Sequence, residues 1–75
     1  MGKHYYAVRV DGTKEDLTGK MAAEELMDGS SEFRGYIADG EDMMDMLEQA
    51  EDDMFCHDGY KLDCGDVLRC EWVAA

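Results

Sequence analysis

The chain has 75 residues, with 19 Asp and Glu against seven Lys and Arg, and a formal charge of −12 at pH 7. A chain of this length makes one domain, residues 1–75, which buries only about 60 to 65% of the surface its unfolded form exposes and has little material to wall off a catalytic cleft. The charge opposes direct nucleic-acid binding, and no apolar run reaches the roughly 18 residues of a membrane helix.

Tyr5 to Val10 alternates, with Tyr6, Val8 and Val10 on one face and Tyr5, Ala7 and Arg9 on the other, and predicts a strand that ends at Asp11-Gly12. Thr13 to Gly19 is polar and predicts a loop or a short edge strand. Lys20 to Asp28 predicts a short helix: Thr18 caps it, Met21, Ala22, Leu26 and Met27 form its apolar face, and Gly29 stops it. Glu32 to Ala38 again alternates and predicts a second strand, with Phe33, Gly35 and Ile37 on one side.

The main helix is predicted over residues 40–55, with Asp39 as its N-cap and Asp42 three residues later as in a capping box. Met43, Met46, Leu47, Ala50 and Met54 fall on one stripe of that helix and predict its core face. After His57-Asp58-Gly59 the chain reads as a hairpin, with Tyr60 and Leu62 on one strand, Leu68, Cys70 and Trp72 on the other, and Cys64-Gly65-Asp66 as the bend. The order β-α-β-α-β-β predicts an α+β domain, a mainly antiparallel sheet of about four strands with two helices on one face. The other sheet face is expected to be solvated or to meet a second copy, with Tyr5, Ala7, Tyr36 and Val73 supplying apolar area.

Charge is distributed unevenly along this frame. Residues 35–60 contain no Lys or Arg but nine carboxylates: Asp39, Glu41, Asp42, Asp45, Glu48, Glu51, Asp52, Asp53 and Asp58. On a helix, Glu41, Asp45, Glu48 and Asp52 stand at i, i+4, i+7 and i+11 and form one ridge opposite the apolar stripe, flanked by Asp42, Asp53 and Glu51. A helix of about 15 residues is roughly 22 Å long, so seven carboxylates give about one charge per 3 Å. One DNA strand carries a charge per about 3.4 Å and the duplex one per about 1.7 Å, so the helix alone matches a single phosphate strand. Matching a duplex needs a second acidic row, for which Asp58, Asp63 and Asp66 or Glu24, Glu25 and Asp28 are the candidates.

Blander uses of these residues compete with mimicry. A charged helix face is most often simply solvated, although balanced Glu and Lys would give solubility at lower electrostatic cost. Salt adaptation fits poorly with three Cys and seven Met. An EF-hand loop starting at Asp39 would put Met43 and Met44 at positions reserved for an oxygen ligand and a glycine. Cys56, His57, Cys64 and Cys70 have zinc-compatible side chains, but the paired two-to-four-residue spacing of structural zinc sites is missing. No cofactor is therefore expected, and no enzymatic activity, since Cys56-His57 adjacency makes no dyad and no glycine-rich phosphate loop is present.

In size, composition and acidic helix the chain resembles the small acidic proteins that phages make against host defence, DNA mimics and anti-CRISPR inhibitors among them. The resemblance implies a phage protein in the host cytoplasm that blocks the basic channel of a nuclease or guide-RNA complex. Its partner-binding residues would be Glu41, Asp42, Asp45, Glu48, Glu51, Asp52, Asp53 and Asp58. The alternative is a small cytosolic adaptor or regulatory protein, dimeric through the open sheet face or through its Met-rich helices, in which the acids serve solubility only. The N-terminal Met1–Tyr6 lacks the apolar core of a signal peptide, in keeping with a cytosolic protein on either reading.

Overall fold

A computed structural model describes residues 2–38, 43–56 and 58–74, without the side chains of 35–38. Strand β1 (Gly2–Val8) occupies an inner position of a four-stranded sheet and pairs along its whole length with β4 (Val67–Val73). On its other side it pairs with β2 (Lys14–Leu17), and β3 (Tyr60–Lys61) adds to β4, giving the order β2-β1-β4-β3 with every neighbour antiparallel. The polar segment after the first turn is thus a short edge strand, set in register when Arg9 N–H donates to Thr13 O at 2.7 Å.

Three helices connect the two hairpins: α1 (Gly19–Gly29), α2 (Ser31–Ala38) and α3 (Met43–Phe55). The α+β class and the four-stranded antiparallel sheet agree with the sequence reading; the element order is β-β-α-α-α-β-β, with one more helix than expected. Residues 32–38, read as a strand, are α2. Phe33 and Ile37 share a face in either structure, because positions i and i+4 coincide at a period of 2 and nearly coincide at 3.6. A distant residue supports the helical alternative: Asp63, in the β3–β4 turn, accepts from Ser31 N–H at 3.1 Å and so satisfies a first-turn donor of α2. The Asp63 N–H donates to Gly29 O at 2.8 Å, which fixes the α1–α2 junction to the same turn.

Thr18 caps α1 as predicted, its Oγ1 accepting from Met21 N–H at 3.1 Å. Its buried face is Ala22, Ala23 and Leu26, and Met21 lies exposed. On α3 the predicted stripe is the core face: Met46, Leu47, Ala50 and Met54 are buried and Met43 packs partly against them. The proposed cap Asp39 and capping-box residue Asp42 lie outside the described residues.

The two sheet faces are reversed relative to one detail of the sequence reading. Tyr5 and Ala7 face the helices and are buried with Leu17, Leu68 and Cys70 in the core, so they give the open face no apolar area. The open face carries His4, Tyr6, Lys14, Asp16 and Glu71, which line a shallow depression of about 150 Å³. It is a charged surface, and of the expected apolar contributors only Val73 is exposed there among the described side chains.

Candidate functional site

Most acids outside α3 have a partner built into the fold. Arg9, at the end of β1, donates to Glu15 at 2.6 Å and to Asp66 at 3.0 Å, and also to Glu25; three carboxylates around one guanidinium hold its pKa well above the ordinary value. Asp66 is pushed below the usual carboxylate range, by Arg9 foremost and also by the Val10 N–H. Asp63 accepts from Ser31 N–H and lies 3.7 Å from Arg34. Asp16 and Glu71 flank His4 at 2.9 and 3.1 Å.

These pairings answer the question of a second acidic row. Glu25, Asp63 and Asp66 are turned toward bases and cannot extend a bare phosphate-like line. On α1, Lys20, the half-buried Glu24 and Asp28 stand at steps of four, and neither acid makes an ion pair among the described residues. A second acidic row of the candidate residues is thus reduced to these two acids with a base at their head, and the longer row of exposed acids among the described residues is elsewhere.

That row is on α3. Asp45, Glu48 and Asp52 are exposed, as are Asp53 beside them and Asp58 after the helix. Among the described residues no Lys or Arg makes an ion pair with any of the five. Glu41 and Asp42, the remaining members of the predicted set, lie outside the described residues.

Glu51 stands apart from the others. Its carboxylate accepts from Lys3 Nζ at 2.9 and 3.0 Å and from the Tyr5 hydroxyl at 2.6 Å, and only 13% of its side chain is exposed. Burial pushes its pKa up, but the hydrogen bonds from Tyr5 and Lys3 outweigh burial and leave the carboxyl below its ordinary value. Lys3 is raised in return, chiefly by the same hydrogen bond. Glu51 thus ties α3 to β1 and stands apart from the exposed row.

Two aromatic residues that the sequence reading treated as structural adjoin the row. Phe55 follows Asp52 by three residues, and its ring stacks on Trp72 of β4 with centroids 5.4 Å apart and planes 22° from parallel. Trp72 is 57% exposed although it shares a sheet face with the buried Leu68 and Cys70. Alternation assigns it to the core side, but it lies where the strand runs on toward the edge of the helical layer. The signal for Phe55 was its position, one step further along the spacing of the acids.

The four zinc candidates are spread over different settings. Cys70 is buried in the core, Cys64 is exposed in the β3–β4 turn, and the exposed Cys56 donates its thiol to Asp52 O at 3.1 Å; His57 lies outside the described residues. Among the described residues no group of three or more His, Cys, Asp or Glu is arranged to hold a metal, and no helix is long and apolar enough to cross a membrane. Comparison with protein-family models, with curated proteins and with solved structures gave no match.

Proposed function

We propose that this chain is an acidic binding protein that occupies a basic, nucleic-acid-binding surface of a partner protein, in the manner of phage-type inhibitors of nucleases and guide-RNA complexes. One contrast carries the reading. The fold supplies bases to Glu15, Glu25, Asp66 and Glu51, while among the described residues it leaves Asp45, Glu48, Asp52 and Asp53 on α3 without an ion pair. Like charges at i, i+3 and i+4 destabilise a helix, so retaining them without compensation is explained most simply by a cationic surface that neutralises them on binding.

The row on α3 narrows the class of surface. With Glu51 turned inward, Asp45, Glu48 and Asp52 rise about 4.5 and 6 Å from one to the next, sparser than one phosphate strand and far sparser than a duplex, so the fitting target is a groove that tracks a single strand with Lys and Arg. Asp45, Glu48 and Asp52 pair with those bases at contact, and Asp53 and Asp58 speed association through longer-range attraction. The alternative of a dimer through the open sheet face gains no support from a surface occupied by His4, Lys14, Asp16 and Glu71.

The test is capture from a host lysate by the immobilised chain, with heparin and with single-stranded DNA as competitors. A nucleic-acid enzyme is expected on the column, released by either competitor and absent when Asp45, Glu48 and Asp52 are changed to Lys. Recovery of the same protein by that variant, unaffected by both polyanions, contradicts the proposal.

A further inference from the structure

We infer that the acidic row of α3 ends in an aromatic anchor, the Phe55–Trp72 stack, and that the combined surface takes an arginine-bearing basic segment of a protein. The inference rests on the proposed function and specifies the chemistry of its partner. Asp45, Glu48, Asp52 and Phe55 follow one another at steps of three, four and three, so they share one face of the helix and the acids lead directly to the ring. Trp72 stacks on Phe55, which itself packs against the core, and remains 57% exposed, so part of an indole is left in water at the end of the row. In a chain this short, with few large side chains to spare, that is area withheld from the core.

Two observations indicate that a cation belongs on this ring. Lys3 Nζ sits over the Trp72 ring at 5.5 Å while it binds Glu51, so within the fold the ring already takes a positive group. The last turn of α3 contains no base, which leaves the negative end of the helix dipole uncompensated next to Phe55. A second copy of the chain is disfavoured as occupant, because two such faces would bring their carboxylates together.

Arginine fits the combined surface better than lysine. A guanidinium is planar, stacks on an indole and presents a fork of donors to a carboxylate, whereas an ammonium is a compact, strongly hydrated point charge. The ridge attracts either base, and the aromatic stack distinguishes between them.

The experiment titrates the protein with arginine and lysine oligopeptides of equal length, reading affinity by calorimetry and environment by emission of Trp72, the one Trp of the chain. The arginine peptide is expected to bind up to about two-fold more tightly than the lysine peptide, since both bases make the cation–π contact and only the guanidinium adds stacking, and to shift Trp72 emission. Trp72→Leu should reduce arginine binding to the lysine level while circular dichroism shows the fold intact. If that variant does not fold, the emission response of the unsubstituted protein decides between the peptides. Equal affinities with unchanged emission overturn the anchor, and in that case ridge-dependent binding of both peptides leaves the proposed function standing. Loss of neither affinity on changing Asp45, Glu48 and Asp52 to Lys contradicts the proposed function itself.

Discussion

The Tyr5 hydroxyl donates a 2.6 Å hydrogen bond to Glu51 across 46 positions of sequence, joining the middle of the sheet to the acidic helix. Burial and the adjacent carboxylate both raise the Tyr5 pKa, so the phenol stays a donor throughout the range in which the protein is folded. With Lys3 on the same carboxylate, one acid of α3 holds the helix in place, while its exposed neighbours Glu48 and Asp52 make no ion pair among the described residues.

Glu51→Gln is expected to lower stability by about 1.5 to 3 kcal/mol, the range for hydrogen bonds to a charged group, while capture of a basic partner is retained. Because the folded pKa of Glu51 lies below its ordinary 4.5, its contribution is present above that value and is lost as pH falls through the folded one. Urea unfolding followed from neutral to acid pH should show a shallower acid decline in the variant. Asp52→Asn should behave oppositely, with stability unharmed and capture weakened.

His4 makes the complementary prediction. Its ring nitrogens face Glu71 on β4 at 3.1 Å and Asp16 on β2 at 2.9 Å, with Tyr6 stacked at 5.5 Å. A neutral imidazole has one donor, so only the imidazolium satisfies both carboxylates. The pKa is accordingly raised, by the hydrogen bond to Glu71 first and to Asp16 second. The stabilisation is complete below the ordinary 6.5 and fades as pH rises through the higher folded value. Nuclear magnetic resonance titration should place the His4 midpoint above 6.5. His4→Gln should remove the loss of urea midpoint seen in the unsubstituted protein over that rise.

Gly59 has φ 69°, and a Cβ there would lie 2.5 Å from Val67 Cγ1 and 2.9 Å from Leu68 O. Gly59→Ala combines an unfavourable backbone region with contact against β4 backbone and should cost about 2 kcal/mol or more. Thermal unfolding checks it, and a variant as stable as the parent would show that the turn does not pack as described.

How far the sequence could be read depended on whether each element's determinants were local. The Met46, Leu47, Ala50 and Met54 stripe and the Thr18 cap lie within their own helices, and both were legible. The helical state of residues 31–38 is supported by Asp63, which lies 32 positions from Ser31, a contact that no local pattern shows; the local signal, two serines ahead of Glu32, competed with an alternation that fits a strand equally well. The inward turn of Glu51 depends similarly on Lys3, 48 positions away. Helical spacing could assign Glu51 to the polar side, but only the sheet could show that a base would meet it there. The orientation of β1 was ambiguous for a different reason: Tyr5 and Tyr6 offer similar apolar area to either face, and the pairing of Tyr5 with Leu17 and Cys70 decides between them.

Stability and binding should oppose one another along the ridge. Glu48 has like charges at i−3 and i+4, Asp45 and Asp52, each such pair costing about 0.2 to 0.5 kcal/mol. Glu48→Lys turns both pairs attractive, a gain of about 0.8 to 2 kcal/mol that is reduced by the loss of the attraction between Glu48 and Lys3, and should stabilise the free protein while weakening capture. Added salt should likewise raise the melting temperature of the free protein and weaken its complex, since at about 0.1 M the screening length is about 10 Å. Denaturation and binding measured on the same variants check both signs.

The most direct test of the decoy reading is competition for the captured partner between this chain and the single-stranded nucleic acid that the partner binds, followed by anisotropy of the labelled strand. The account predicts that the chain displaces the strand completely as it saturates the partner, and that the variant with Asp45, Glu48 and Asp52 changed to Lys displaces none. Formation of a ternary complex, with strand and chain bound to the partner together, would contradict it.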